Sequence, residues 1–128
     1  MQNSRNLLVG EHAHRLAILT YRHTDSFPSA ESFGLTSQMR RAAVSIASNI
    51  AEGCGRRSNR ELLTFLYVSA GSASELACQL RIATELGLGD PTSAEQLAVE
   101  VQRVARMLNR LITFHRAQPA QRRAEGRP

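Results

Sequence analysis

Four stretches of the chain place apolar residues at steps of three and four, the spacing of one face of an α-helix. These stretches cover residues 7–24, 36–52, 58–86 and 92–116. No stretch alternates apolar and polar residues over a useful length, as a strand with one buried face would. The pattern therefore predicts an all-α domain over residues 1–116 that contains four helices.

The third stretch has the most regular repeat. Its apolar face comprises Leu62, Leu66, Ser69, Ala73, Leu76, Leu80 and Ala83. Ser58 and Glu61 form a capping box, in which each side chain accepts a hydrogen bond from a backbone N–H at the start of the helix. At the other end, Gly87 supplies the left-handed residue that terminates many helices, and Leu88 is expected to fold back on the last turn.

The other three stretches carry comparable apolar faces. These comprise Val9, Ala13, Leu16 and Thr20 in the first stretch, Met39, Ala42, Ala43, Ile46 and Ile50 in the second, and Leu97, Val101, Val104, Leu108, Leu111 and His115 in the fourth. Thr92 and Glu95 form a second capping box, which predicts Thr92 as the N-cap of the fourth helix. Thr36 is the predicted N-cap of the second helix.

The connections between the stretches are short, which predicts how the helices are arranged. Glycines at 53 and 55 and at 87 and 89 mark two connections that force neighbouring helices to run antiparallel. We therefore expect an antiparallel, up-down-up-down four-helix bundle. The longer connection, residues 25–35, is expected to pack Phe27 and Phe33 under one end of the bundle. Residues 117–128 have no apolar repeat and are predicted to form a disordered basic tail.

Gly71 lies in the middle of the predicted third helix, where glycine costs about 1 kcal/mol relative to alanine. Two interpretations are open. One is a narrow crossing between helices of the same chain, which only a residue without a side chain allows. The other is a close approach to a neighbouring subunit.

A long motif resembles a known family. Residues 33–53 read FGLTSQMRRAAVSIASNIAEG. The match continues at Gly55, Arg56, Arg57, Ser58, Glu61, Phe65, Leu66, Ala70, Gly71, Ser72, Glu75, Leu76, Gln79, Leu80, Leu86 and Gly87. This pattern closely resembles the small four-helix-bundle proteins encoded in intervening sequences of bacterial 23S ribosomal RNA genes. Gly10 departs from it, since the family tends to carry an aromatic residue there; a late start or looser packing of the first helix would follow.

The resemblance implies an assembly as well as a fold. Members of the family look like homopentamers, with the bundles arranged as a barrel around a central channel. A similar protein is the accessory subunit of diversity-generating retroelements, which assists a reverse transcriptase and binds nucleic acid. The resemblance thus implies a ring of identical chains, with RNA, DNA or a reverse transcriptase as further partners.

The charge of the chain is strongly basic and unevenly placed. All 16 basic residues are arginine, and 11 acidic residues leave a net charge of +5. In the predicted bundle one end carries +5 and the opposite end −1. The predicted nucleic-acid-binding residues at the basic end are Arg5, Arg56, Arg57, Arg60, Arg110 and Arg116. In a ring of parallel bundles these arginines would form one rim that binds RNA or DNA phosphates without sequence preference.

Simpler explanations of the arginines compete with this one. Cations near the ends of the second and fourth helices offset the helix dipole, and exclusive use of arginine also results from codon bias in a GC-rich genome. Relief of the helix dipole does not account for Arg5, Arg57, Arg60 or the arginines of the tail. A scaffold that binds only proteins is the alternative function.

Sites for metals, cofactors and small-molecule substrates are not expected. Cys54 and Cys78 are 24 residues apart without a CxxC motif, which favours neither a zinc site nor a disulfide framework and suits a reducing cytoplasm. His12 and His14 lie two residues apart and so point to different faces of a helix. The longest uncharged run, residues 62–74, has 13 residues, fewer than the roughly 20 that span a bilayer, so no membrane partner is expected.

One enzymatic interpretation rests on Arg110 and His115. Their spacing resembles the loose Arg-x4-His pattern of the HEPN ribonucleases, in which the arginine would stabilise phosphoryl charge and the histidine would act as general acid and base. On a straight helix, however, five residues turn the two side chains about 140° apart. His115 also continues the apolar repeat. We therefore expect a non-enzymatic protein without catalytic residues.

Overall fold

The computed structural model describes residues 4–119 and places four α-helices in them. These are α1 (Ser4–Thr24), α2 (Leu35–Cys54), α3 (Asn59–Glu85) and α4 (Pro91–Arg116). A single 3-10 turn, Ser29–Glu31, lies between α1 and α2, and residues 4–119 contain no strand. The predicted all-α class with four helices is confirmed. Most of the predicted disordered tail, residues 120–128, lies outside the described residues.

The helices contact one another in a closed cycle. α1 packs on α2, α2 on α3, α3 on α4, and α4 on α1, with no approach across either diagonal in the described part of the chain. The four predicted apolar faces supply the interior, and every residue of those faces is buried. Because each face follows the 3.6-residue period, it turns a continuous stripe inward. The fold is compatible with a four-helix bundle.

Both ends of α3 match the prediction. At its start, the Ser58 hydroxyl accepts a hydrogen bond from the Glu61 backbone N–H at 3.2 Å. At its end, Gly87 has a φ of 77°, and the Leu88 N–H donates to the Ala83 carbonyl at 2.9 Å. This hydrogen bond spans five residues and satisfies a carbonyl that the last turn of the helix leaves without a partner.

The predicted starts of the other helices are wrong by a few residues. α4 begins at Pro91, and the Asp90 side chain, rather than that of Thr92, caps it by accepting from the Ser93 N–H at 2.8 Å. Proline suits the first helical position because its missing N–H has no partner there anyway. α2 begins at Leu35 with Gly34 as its N-cap, so Thr36 is already helical.

The first helix begins earlier than predicted. α1 starts at Ser4 and continues through Gly10, so the late start suggested by this glycine is wrong. Gly10 faces Ile50 of α2, and a groove of about 390 Å³ lies between the two helices there. The looser packing expected at this position stays a prediction.

Two further expectations are corrected by burial. Phe27 is buried, as predicted, but Phe33 is 98% exposed and does not pack under the bundle. The hydrogen-bonded 3-10 turn between them carries the chain away from the core before α2 begins. A Cβ added at Gly71 would meet no atom within 4 Å, so a narrow crossing within the chain does not explain this glycine.

Candidate nucleic-acid interface

The six predicted arginines lie at helix ends, and all of them are exposed. Arg5 is in the first turn of α1, Arg56 and Arg57 connect α2 to α3, Arg60 is in the first turn of α3, and Arg110 and Arg116 are in the last two turns of α4. Two of these helix ends are in direct contact. Asn6 Oδ1 lies 3.1 Å from His115 Nε2, which joins the start of α1 to the end of α4.

The end of α2 also packs closely against the first two turns of α3. A Cβ added at Gly53 would lie 2.9 Å from Cβ of Phe65 and 3.0 Å from Cδ1 of Leu62. Glycine at position 53 therefore permits a backbone approach that any side chain would prevent. This approach fixes the short connection that carries Arg56 and Arg57.

Arg5 and Arg110 are brought together on α1 and α4. The Arg5 guanidinium lies over the Phe114 ring, 4.0 Å from its centroid. Both arginines line one groove of about 210 Å³, with Leu8 and Met107 beside them. The ring holds the Arg5 guanidinium in place, because the face of an aromatic ring attracts cations.

Arg56 is held in a similar way at the α2–α3 connection. Its guanidinium forms an ion pair with Glu52 and lies 4.8 Å from the centroid of the Phe65 ring. Arg57 and Arg60 flank it and have no carboxylate of a described residue within 4.0 Å. The same holds for Arg5, Arg110 and Arg116 among residues 4–119.

Two of the four arginines predicted at the opposite end have carboxylate partners, whereas Arg22 and Arg41 have none among residues 4–119. Arg40 there lies 4.0 Å from an oxygen of Asp25 and donates to the Thr24 hydroxyl at 2.8 Å. Arg81 pairs with Glu85 at 3.1 Å. Among the described residues, the predicted basic end has six arginines and three glutamates, a net charge of +3; the rest of the predicted +5 falls on residues 120–128.

The two aromatic supports, Phe65 and Phe114, were missed at the level of sequence. Both are partly buried, and each precedes a core residue, Leu66 or His115, at the edge of an apolar face. That position, at the border of an apolar face, is the signal that could have identified them. It places a ring where a nearby arginine on a neighbouring element can lie over it.

The geometry does not favour the HEPN-like interpretation. The His115 imidazole is 4% exposed, bonded to Asn6 and set edge-on against the Phe114 ring. Arg110 is exposed, so the two side chains do not meet at one accessible surface. Within residues 4–119 there is also no group of three or more potential metal-ligating side chains. No described helix is long and apolar enough to cross a membrane.

Comparison with known proteins addresses the family. Residues 5–110 match the model of the 23S rRNA-intervening sequence protein family. The fold is similar to a crystal structure from Bacteroides thetaiotaomicron, described as a protein with unknown function from the S23 ribosomal protein family. The TM-score is 0.77 at 16% identity, over 85% of this chain and 98% of that one. None of the curated proteins matches the chain. The family resemblance in the motif at residues 33–53 is therefore confirmed: the chain belongs to the 23S rRNA-intervening sequence protein family.

Proposed function

We propose that this protein is a non-enzymatic homopentamer that binds RNA or DNA through the basic end of its bundle. The observation that carries the proposal is that five of the six exposed arginines at the predicted basic end have no carboxylate partner in the described part of the chain. These are Arg5, Arg57, Arg60, Arg110 and Arg116. Uncompensated guanidinium groups attract phosphates and present planar pairs of N–H donors to them.

An up-down-up-down arrangement of the helices is part of the proposal. Pairs of residues from a helix start and a helix end support it. They are Asn6 and His115, His23 and Ser93, Thr24 and Arg40, and Gly53 and Phe65. In this arrangement the starts of α1 and α3 share one end of the bundle with the ends of α2 and α4, so the six arginines collect there.

Helix dipoles alone do not account for the basic end. A cation stabilises the C-terminus of a helix but destabilises its N-terminus. Arg5 and Arg60 occupy the first turns of α1 and α3, where the dipole opposes a positive charge. Their placement is better explained by a negatively charged partner than by stability of the monomer.

Binding of this kind reads phosphates rather than bases. Contacts from Arg5, Arg57 and Arg60 would be to the sugar-phosphate backbone, which carries no sequence information. Five copies in a ring would repeat the basic end around one rim, and a strand that follows the rim would gain avidity from several weak contacts. A reverse transcriptase, or another protein that holds nucleic acid, would then share the same RNA or DNA.

Fluorescence anisotropy with a labelled 20-nucleotide RNA, and with DNA of the same sequence, tests the proposal. The variant Arg57→Glu/Arg60→Glu should raise the dissociation constant by about tenfold or more. Glutamate is favourable in the first turn of α3, so this variant is expected to fold. Arg15→Glu/Arg22→Glu is the matched control, because it changes the charge equally at exposed positions away from the basic end. Equal losses in both variants, or no binding by the wild type at low salt, would favour the protein scaffold.

A further inference from the structure

Phe33 is presented to solvent by a rigid turn. Its side chain is 98% exposed, although the connection that carries it is well ordered by hydrogen bonds. The Gly34 N–H donates to the Glu31 carbonyl at 3.0 Å, and a Glu31 side-chain oxygen accepts from the Leu35 N–H at 3.2 Å. Phe27 anchors the same connection in the core. An aromatic side chain held outward in this way loses little entropy when it binds, so the turn is suited to an interface.

A groove between α3 and α4 offers a matching apolar surface. It has a volume of about 670 Å³, and its floor is formed by the core residues Leu80 and Val101. Ala77 and Ala98 line its sides with short side chains, and Leu80 and Val101 are almost fully buried beneath them. A cavity of about 150 Å³ is enough to hold a benzene ring. The groove therefore has room for a phenylalanine side chain.

Phe33 and the groove lie at the same end of the protein. A Cβ added at Gly89, in the α3–α4 connection, would lie 2.9 Å from Cε1 of Phe27, in the α1–α2 connection. The groove adjoins this α3–α4 connection through Pro91. The cycle of helix contacts places the α1–α2 pair opposite the α3–α4 pair. One chain thus carries Phe33 on one side and the groove on the other, at the same level.

Charged side chains accompany both surfaces. Arg81 and Glu85 line the groove and pair with each other, which leaves the charge of Glu95. Arg41, in the second turn of α2, is exposed, and Glu95, beside the groove, is exposed as well. Neither has an oppositely charged group within 4.0 Å among residues 4–119. If Phe33 of one copy entered the groove of another, Arg41 of the first copy would approach Glu95 of the second.

From these observations we infer that Phe33 of one copy inserts into the α3–α4 groove of the next copy. Because the contact joins two different surfaces, each copy gives one Phe33 and receives one. Repetition closes a ring when each copy is rotated relative to the one before it, and the proposed pentamer requires a rotation of about 72° per copy. The inference rests on the oligomer proposed above and names its interface. It leaves the basic end free, since Phe33 lies at the opposite end of the bundle.

Sedimentation velocity at about 20 µM chain tests this interface. The wild type should sediment at several times the chain mass of 14.1 kDa. Phe33→Ser should weaken association by roughly 30-fold or more, as loss of an aromatic anchor does at other interfaces. Ala98→Trp, which fills the groove, should have the same effect. Leu8→Ser is the control, since it removes an exposed apolar side chain at the basic end. Circular dichroism confirms that each variant is folded.

Mixing the two deficient variants gives a sharper result. Phe33→Ser keeps an intact groove and Ala98→Trp keeps an intact Phe33, so together they should form a 1:1 dimer that neither forms alone. An oligomeric wild type whose Phe33→Ser variant keeps the same mass overturns this interface but not the proposed oligomer. A monomeric wild type overturns both, whereas the anisotropy measurement judges nucleic-acid binding separately.

Discussion

The Nδ1 atom of His23 lies 2.9 Å from the Ser93 hydroxyl oxygen and links the last turn of α1 to the first turn of α4. The imidazole is 4% exposed and sets its edge against the Phe27 ring, with centroids 5.4 Å apart. Its Nε2 is buried without a hydrogen-bond partner among the described residues. The neutral ring fits this site, whereas the imidazolium would bury a charge and an unpaired donor.

This contact makes stability dependent on pH. Burial lowers the pKa of His23 from its ordinary 6.5, and the charge of Asp90 opposes that shift to a smaller extent. The unfolded chain therefore binds the proton more readily than the folded chain, so the free energy of unfolding falls as pH decreases below about 6.5. Urea denaturation at pH 7.5 and pH 5.5 should show the loss in the wild type and a smaller loss in His23→Gln. The exposed His14→Gln variant should behave as the wild type. An unchanged pH dependence in His23→Gln would refute this role.

Substitutions of the helix N-caps distinguish the caps seen in the structure from those predicted from the sequence. Ser58→Ala and Asp90→Ala should each lower the free energy of unfolding by about 1 kcal/mol, because each removes an acceptor from the first turn of a helix. Thr92→Ala should change it by less than about 0.5 kcal/mol, since Thr92 is already inside α4. Chemical denaturation measures all three. A larger effect of Thr92→Ala than of Asp90→Ala would restore the capping box that the sequence suggested.

Two glycines in helices should respond to alanine in opposite directions. Gly53→Ala should destabilise the fold by about 1–3 kcal/mol, because the new methyl group would overlap Phe65 and Leu62. Gly71→Ala should stabilise it by about 0.5–1 kcal/mol, since the site is open and alanine favours the helix. Thermal unfolding of both variants provides the test. Shifts in the same direction would contradict the packing described at these sites.

The apolar faces were predictable because burial in a helical protein follows the 3.6-residue period. Caps were less so. Asp90 and Thr92 are both good N-cap residues, and the deciding signal was Pro91, which prefers the first helical position. The apolar character of Phe33 did not show whether its side chain is buried or exposed, because its exposure depends on the course of the 3-10 turn before α2. An apolar residue in a long connection is buried or exposed according to backbone geometry that no periodic pattern encodes.

The candidate site was predictable in outline only. Chain order assigned the arginines to helix ends, and helix packing brings the start of α1 to the end of α4 and the end of α2 to the start of α3. The supports of Arg5 on Phe114 and of Arg56 on Phe65 depend on distances between helices and on side-chain rotamers. Sequence spacing contains neither quantity. For the same reason, Arg40, which pairs with Asp25, could not be told apart before the structure from Arg57, which has no carboxylate of residues 4–119 within 4.0 Å.

The salt dependence of RNA binding tests the central claim most directly. Anisotropy titrations of a 20-nucleotide single strand in 50–300 mM NaCl should show the logarithm of the association constant falling linearly with the logarithm of salt concentration. Three to five phosphates neutralised by the basic end predict a slope of about −2 to −3.5, and Arg57→Glu/Arg60→Glu should make it shallower. An affinity that stays flat between low and high salt, or a slope unchanged in that variant, would contradict binding through the basic end.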